Sequence, residues 1–426
     1  MSIDELYKIY LQYPSVQTDT RKLKKGDLYF ALKGPNFNGN AFTLQAIDEG
    51  AAYAIIDEDR FAINKKTILV DNVLETLQSL GRHHRSQFKI PFIAITGSNG
   101  KTTTKELMHS VLSTTYKTYT TEGNLNNHIG VPLTILKIKT DAEFAIIEMG
   151  ANHLGEIASY CKLAMPTHGL ITNCGKAHLE GFGNEEGVRK AKGELFDYLK
   201  QSNGMAFIMP DYNYLIEMAE GIQELYTYGK KEADVVGNIV SADPLLEVEF
   251  IKGIRKKIKT NLVGGYNLSN VLAAAAVGRY FNVNDDKIKT AIENYSPSNS
   301  RSQLVQKGSN KIILDAYNAN PSSMKLAIEN FAKAKEDNKI LVLGAMAELG
   351  NASLEEHKQL VKEIAKYKWK EVILVGDDFL DTDHPYTNKK TAAEAGQLLQ
   401  QHKIENAFLL IKGSRSIQME KVLDYL

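Results

Sequence analysis

The chain of 426 residues is long for one domain, and at about 150 residues per domain it divides into two or three. Hydrophobic residues make up 43% and charged residues 24%, a balance typical of a globular protein, and 51 Lys+Arg against 51 Asp+Glu leave no net charge, so no basic excess recommends nucleic acid as a partner. No apolar run approaches the roughly 18 residues of a membrane helix, and the opening MSIDELYKIY lacks a basic region followed by an apolar core, so a cytoplasmic protein without membrane insertion is expected, its Cys161 and Cys174 buried and reduced.

In chain order, DLYFAL, AAYAIID and KTILVD read as short strands around a Gly/Asn-rich loop, KGPNFNGNAF. GRHHRSQFK then forms a polar bridge, with His83 and His84 on a solvated helix face. The apolar strands AEFAIIEMG, HGLITNCG and GMAFIMP follow with helical patterns between them, as in a doubly wound sheet. A more β-rich stretch (VVGNIV, LLEVEFI, KKIKTNLVG) precedes a small-residue helix, NLSNVLAAAAVGRYF, and a Pro/Ser cluster at YSPSNSR. Beyond it KIILDAY, KILVLGAM, EVILVGD and AFLLIKGS alternate with amphipathic helices in a Rossmann-like pattern. The expected fold is α/β in three units: a small α/β unit over 1–85, a central phosphate-loop unit with a mostly parallel sheet over 86–297, and a Rossmann-like unit over 298–426.

The sharpest signal is PFIAITGSNGKTTTKE, residues 91–106. Pro91 to Thr96 predicts a buried strand, and Thr103 to Leu112 a helix whose N-terminus faces the turn. The turn is a shortened phosphate loop, G-x-x-G-K-T. Unpaired amides and the helix dipole favour an anion there. Gly97, Ser98, Asn99, Gly100, Lys101, Thr102 and Thr103 therefore predict a triphosphate site, with Lys101 reaching the terminal phosphates and the Thr102 hydroxyl ligating magnesium. Glu148 and His178 follow apolar strands, at the edge where open α/β sheets gather ligands, and are candidates for the same metal. Lys190 and Lys192 lie in the helical VRKAKGELF; an ammonium has no lone pair for a metal, so chemistry alone leaves both in solvent.

Taken together, TGSNGKTTTKE, TEGNLNNHIGVPLTIL, EMGANHLGEI, TNCGKAHLEGFGNEEGVRKAKGELF, GGYNLSNVLAAAAVG, DAYNANPSSM and IKGSRSIQMEKVL resemble the Mur ligases of cell-wall synthesis, in the family's order from about residue 18 onward. NLNNHIGVP, YNANP and KGSRS resemble the branch that acts on D-alanyl-D-alanine. The resemblance implies a monomeric ligase that joins this dipeptide to UDP-N-acetylmuramoyl-tripeptide through an acyl phosphate, with ATP and Mg2+. It implies a UDP-binding first unit, an ATPase second unit and a third that closes over ATP and dipeptide. It further implies Lys101 and Thr102 on phosphate and magnesium, and Glu148 and His178 on metal. Asn267 and Asn270 fall near the adenine, Arg301 on the phosphates and Asp315 near the ribose. Thr20, Arg21, Asn126, Asn127, Tyr317 and Asn318 become substrate contacts. Lys192 occupies the position of a lysine that carbon dioxide carbamylates, which would make it a catalytic metal ligand beside His178 and Lys101.

Three positions depart from the family's pattern: Leu314 and Ala345 stand where acidic residues are common, and Asn38-Gly39-Asn40 replaces Asp-Gly-His. Two other readings stay open on the residues alone. One is another amide ligase of the superfamily, a tripeptide-forming Mur ligase or a folylpolyglutamate synthase; the other is a nucleotide-binding protein that ligates nothing. The tripeptide's third residue, lysine or meso-diaminopimelate, is not readable.

Overall fold

A computed structural model describes residues 1–298 and 300–426; Asn299, inside the expected Pro/Ser boundary, lies outside the described residues. Three main sheets carry the chain. The first has four parallel strands in the order Val16–Gln17, Leu28–Phe30, Tyr53–Ile56 and Thr67–Leu69. The second has nine, with Phe92–Thr96 between His168–Ile171 and Phe144–Glu148, all parallel, and the β-rich stretch extending one edge, its first strand joined parallel and the next two antiparallel. The third has six, in which Asn310–Asp315 pairs antiparallel with Gln303–Lys307 and parallel with Phe408–Lys412.

Burial on both faces explains the sequence of the central strands. FIAIT and FAIIE are buried at every position, which requires near-continuous apolar runs rather than alternation. The helix Leu268–Tyr280 is buried almost all round and packs on the helix Lys101–Leu112. A Cβ on Gly278 would come 2.5 Å from Val111 Cγ1, so its small residues set the approach of the two helices.

The helix Val73–Ser86 corrects the expected solvated bridge. His84 is buried, 3.0 Å from the Tyr7 hydroxyl and 2.7 Å from the Ile138 carbonyl. Arg85 is buried beside it, donating to the carbonyls of Ala164, Met165 and Phe88 with its guanidinium 3.7 Å over the Phe92 ring. Polar residues face inward here because the helix docks onto the next unit, where free carbonyls end the helix Glu156–Ala164. Replacing Arg85 with methionine keeps an apolar stem but strands the Ala164 and Met165 carbonyls. The expected cost is about 2–4 kcal/mol, read as a lower urea midpoint; an unchanged midpoint would show that water satisfies both.

Candidate active site

The phosphate loop forms where the central strand stops. Gly97 has φ 141° and a Cβ there would come 2.0 Å from Thr172 Oγ1; Gly100 has φ 81° and a Cβ would come 2.5 Å from Asn270 Oδ1. Neither position tolerates a side chain. Gly100 is the N-cap of the helix Lys101–Leu112 and brings no capping side chain, so the first-turn amides are left without the usual side-chain acceptor. Lys101 curls back to donate to Gly97 O at 2.6 Å and Ser98 O at 3.2 Å, and burial lowers its pKa.

The loop opens into a cavity of about 920 Å³ walled by the second and third units. Ser98 to Thr103, Asn126, Asn127, Glu148, His178, Asn267, Asn270, Arg301, Asp315, Tyr317 and Asn318 all line it. The structure thus gathers most predicted site residues around one space. Thr20 and Arg21 are not among the lining residues; the exposed Arg21 pairs with Asp19 at 2.8 Å on the first unit. Lys192 is also off the wall. It is 1% exposed, donates to Ala151 O at 3.1 Å and sits 5.0 Å from the Phe182 ring centroid. The solvent-exposed reading therefore fails for Lys192 and holds for Lys190. Burial, then the charge of Lys101, brings the Lys192 pKa down to about 7.

Glu148 organises the metal candidates. Its Oε1 accepts from Thr102 Oγ1 at 3.1 Å and from Asn126 Nδ2 at 2.8 Å, while the buried Oε2 has no hydrogen-bond donor. A hydroxyl and a carboxylate sharing one wall of the cavity fit a small hard divalent cation. Among the described residues no group of three or more His, Cys, Asp or Glu is arranged to hold a metal by itself. His178, in the left-handed region at φ 51°, turns Nδ1 to within 2.7 Å of Glu348 Oε2, off the line of a hydrogen bond. This contact holds the Glu348 carboxyl below its usual pKa.

The third unit closes the other side. Asn320 Nδ2 donates to Asn99 Oδ1 at 2.8 Å, directly on the phosphate loop. Ser322 Oγ accepts from Lys176 N at 3.0 Å, and Lys176 Nζ reaches Glu356 at 2.6 Å. Arg301 lies 3.5 Å over the Tyr317 ring, on a turn whose Ser300 and Ser302 both have positive φ. Such strain is characteristic of functional sites. Asp315 accepts from Ser302 N and pairs with Lys412 Nζ at 2.6 Å. Asn267 and Asn270 are less free than expected: Asn270 donates to Asn267 Oδ1, accepts from Thr104 Oγ1 and abuts Gly100. Glu348, Asn320, Glu356 and Lys412 are not marked by the sequence, although Asn320 lies in YNANP and Lys412 in IKGSRS.

Three Mur ligase profiles cover the chain: the family's catalytic domain at residues 12–85, the middle domain at 95–278 and the glutamate ligase domain at 300–415. The chain belongs to the Mur ligase family. This Mur ligase is 34% identical over 425 residues to the UDP-N-acetylmuramoyl-tripeptide–D-alanyl-D-alanine ligase of Bacillus subtilis, covering 96% of this chain and 92% of that one. It is 34% identical to the ligase of the same name from Escherichia coli, covering 98% and 95%. Its fold matches the crystal structure of MurF from Acinetobacter baumannii with a TM-score of 0.87 at 30% identity, covering 96% and 93%. MurF from Thermotoga maritima, solved in complex with ADP, matches with a TM-score of 0.87 at 26% identity, covering 97% of each chain.

Proposed function

We propose that this Mur ligase joins D-alanyl-D-alanine to UDP-N-acetylmuramoyl-tripeptide with hydrolysis of ATP to ADP and phosphate. The observation that carries the reading is the phosphate loop opening into one cavity with Glu148, His178 and the third unit's Arg301. The near full-length likeness to ligases of that name supports it. In this reading residues 1–85 hold the UDP end, 86–297 hold ATP, and 298–426 close over nucleotide and dipeptide.

The chemistry needs cations between two anions, because the tripeptide carboxylate must approach the γ-phosphate. Lys101 leaves the loop carbonyls for the phosphates, and Arg301 meets them from the opposite wall. The carboxylate oxygen bonds to the γ-phosphorus as the bond to the bridging oxygen breaks, leaving ADP. The dipeptide's neutral amine then bonds to the acyl carbon, phosphate departs, and the amine's extra proton passes to solvent or a nearby base. Thr102 and Glu148 would hold magnesium, which supplies charge neutralisation on the phosphates. Lys192 enters as its carbamate. Burial favours the neutral amine, the form to which carbon dioxide adds with loss of a proton, and the carbamate would supply anionic oxygens in place of an ammonium.

Phosphate release, measured with UDP-N-acetylmuramoyl-tripeptide in the presence and absence of D-alanyl-D-alanine, tests the assignment. Release should require both substrates. Release that ignores the dipeptide overturns it, and preference for a free amino acid or for glutamate on a folate would reassign the chain within the superfamily.

A further inference from the structure

The helix Lys101–Leu112 carries a second lysine one turn beyond the first. Lys105 is 1% exposed, and its ammonium donates to Thr121 O at 2.6 Å. It stands 3.8 Å from Glu148 Oε2 and 3.9 Å from Glu106 Oε1. Lysines are almost never fully buried without a counter-charge, and Glu148 is itself only 1% exposed. Thr121 ties the pair together, since its hydroxyl accepts from Glu148 N at 3.0 Å while its carbonyl takes the Lys105 ammonium. Glu148 is therefore polarised: Oε1 collects both hydrogen bonds, from Thr102 and Asn126, and Oε2, without a hydrogen-bond partner, lies beside the ammonium. Lys105 lines no part of the cavity.

We propose that Lys105 is a positioning residue whose buried ammonium clamps Glu148 from behind, aiming Oε1 at the cavity and countering the carboxylate's charge, so that the site accepts a divalent cation only together with a phosphate-bearing nucleotide. Hard cations are held by several anionic or carbonyl oxygens, whereas here a single carboxylate beside Thr102 faces an ammonium, shared with Glu106, before phosphate arrives. The ammonium repels a bare cation, and phosphate oxygens supply the missing negative charge. This inference rests on the phosphate-loop reading above.

Mn2+ binding by electron paramagnetic resonance, to the full chain with and without ADP, tests both separately. The wild-type chain should bind Mn2+ tightly only with ADP; absence of that binding overturns the phosphate-loop reading and the inference with it. Lys105→Met should tighten Mn2+ binding to the nucleotide-free chain on the order of tenfold or more, since the positive charge behind the liganding carboxylate is removed, and Lys105→Arg should restore the wild-type requirement for ADP. Nucleotide-free affinity within about a factor of two of wild type in Lys105→Met overturns the clamp. Should Lys105→Met not fold, the double variant Lys105→Met/Glu148→Gln, which removes both buried charges, is expected to melt higher than Glu148→Gln alone. A double variant that melts no higher overturns the pairing.

Discussion

Lys101→Ala is expected to lower turnover on the order of 100-fold or more, the usual consequence of removing a preorganised charge from a phosphoryl-transfer site, with the fold intact. The fold survives because, among the described residues, the Lys101 ammonium hydrogen-bonds only to the loop carbonyls of Gly97 and Ser98. Its pKa, lowered by burial, shows the other side of the same geometry: the charge is held where solvation is poor and a phosphate is its best partner. The loss should therefore fall on kcat and on affinity for ATP, while the melting temperature stays near wild type. Turnover near wild type would mean that the cavity does not hold a triphosphate.

Lys192→Ala is expected to be nearly inactive, and short carboxylic acids added to the assay should restore part of the activity. The site favours this chemistry. Lys192 is enclosed by Ala151 and Phe182, and its pKa near 7 leaves a large neutral fraction at physiological pH. Truncation to alanine leaves a space the length of the lost side chain, into which a small carboxylate can place the oxygens that a carbamate would bring. Lys190→Ala, two residues earlier and exposed on the same helix, should be mild. Equal damage from both variants, or no rescue by any carboxylate, would count against the carbamate. Burial also has a signed effect on stability. Without carbon dioxide, the folded chain binds fewer protons at Lys192 than the unfolded chain does above about pH 7, so the unmodified residue makes stability rise with pH from there to the ordinary lysine pKa of about 10.4. Lys192→Met should flatten that rise.

The metal candidates show how far local pattern reaches. Thr102 follows Lys101 in a contiguous strand–turn–helix, and Glu148 ends an apolar run buried at all five positions. Side chains at the ends of such strands meet at the sheet's carboxyl edge, so the gathering of Thr102, Glu148 and His178 around one cavity was legible. Their finer contacts were not. Nothing in NLNNHIGVP marks Asn126 as a donor to Glu148, and nothing near His178 announces Glu348, 170 positions away in the sequence.

The sequence by itself determined the α/β class, the phosphate loop and the family, because each is written in contiguous residues: buried strands need unbroken apolar runs, and the loop needs glycines at positive φ followed by Lys and Thr. Only the tertiary structure decided which ionisable residues are buried. Lys105, Lys192, His84 and Arg85 all sit in polar helical stretches, and a polar stretch reads as solvent-facing because solvation is the default fate of a charge. That default is overturned where two units or two layers meet and bring a carboxylate, a carbonyl or an aromatic face to each group. The deciding partners, Glu148 for Lys105, Ala151 for Lys192, Ile138 for His84 and Ala164 for Arg85, lie at least 41 positions away, so the local sequence does not announce them.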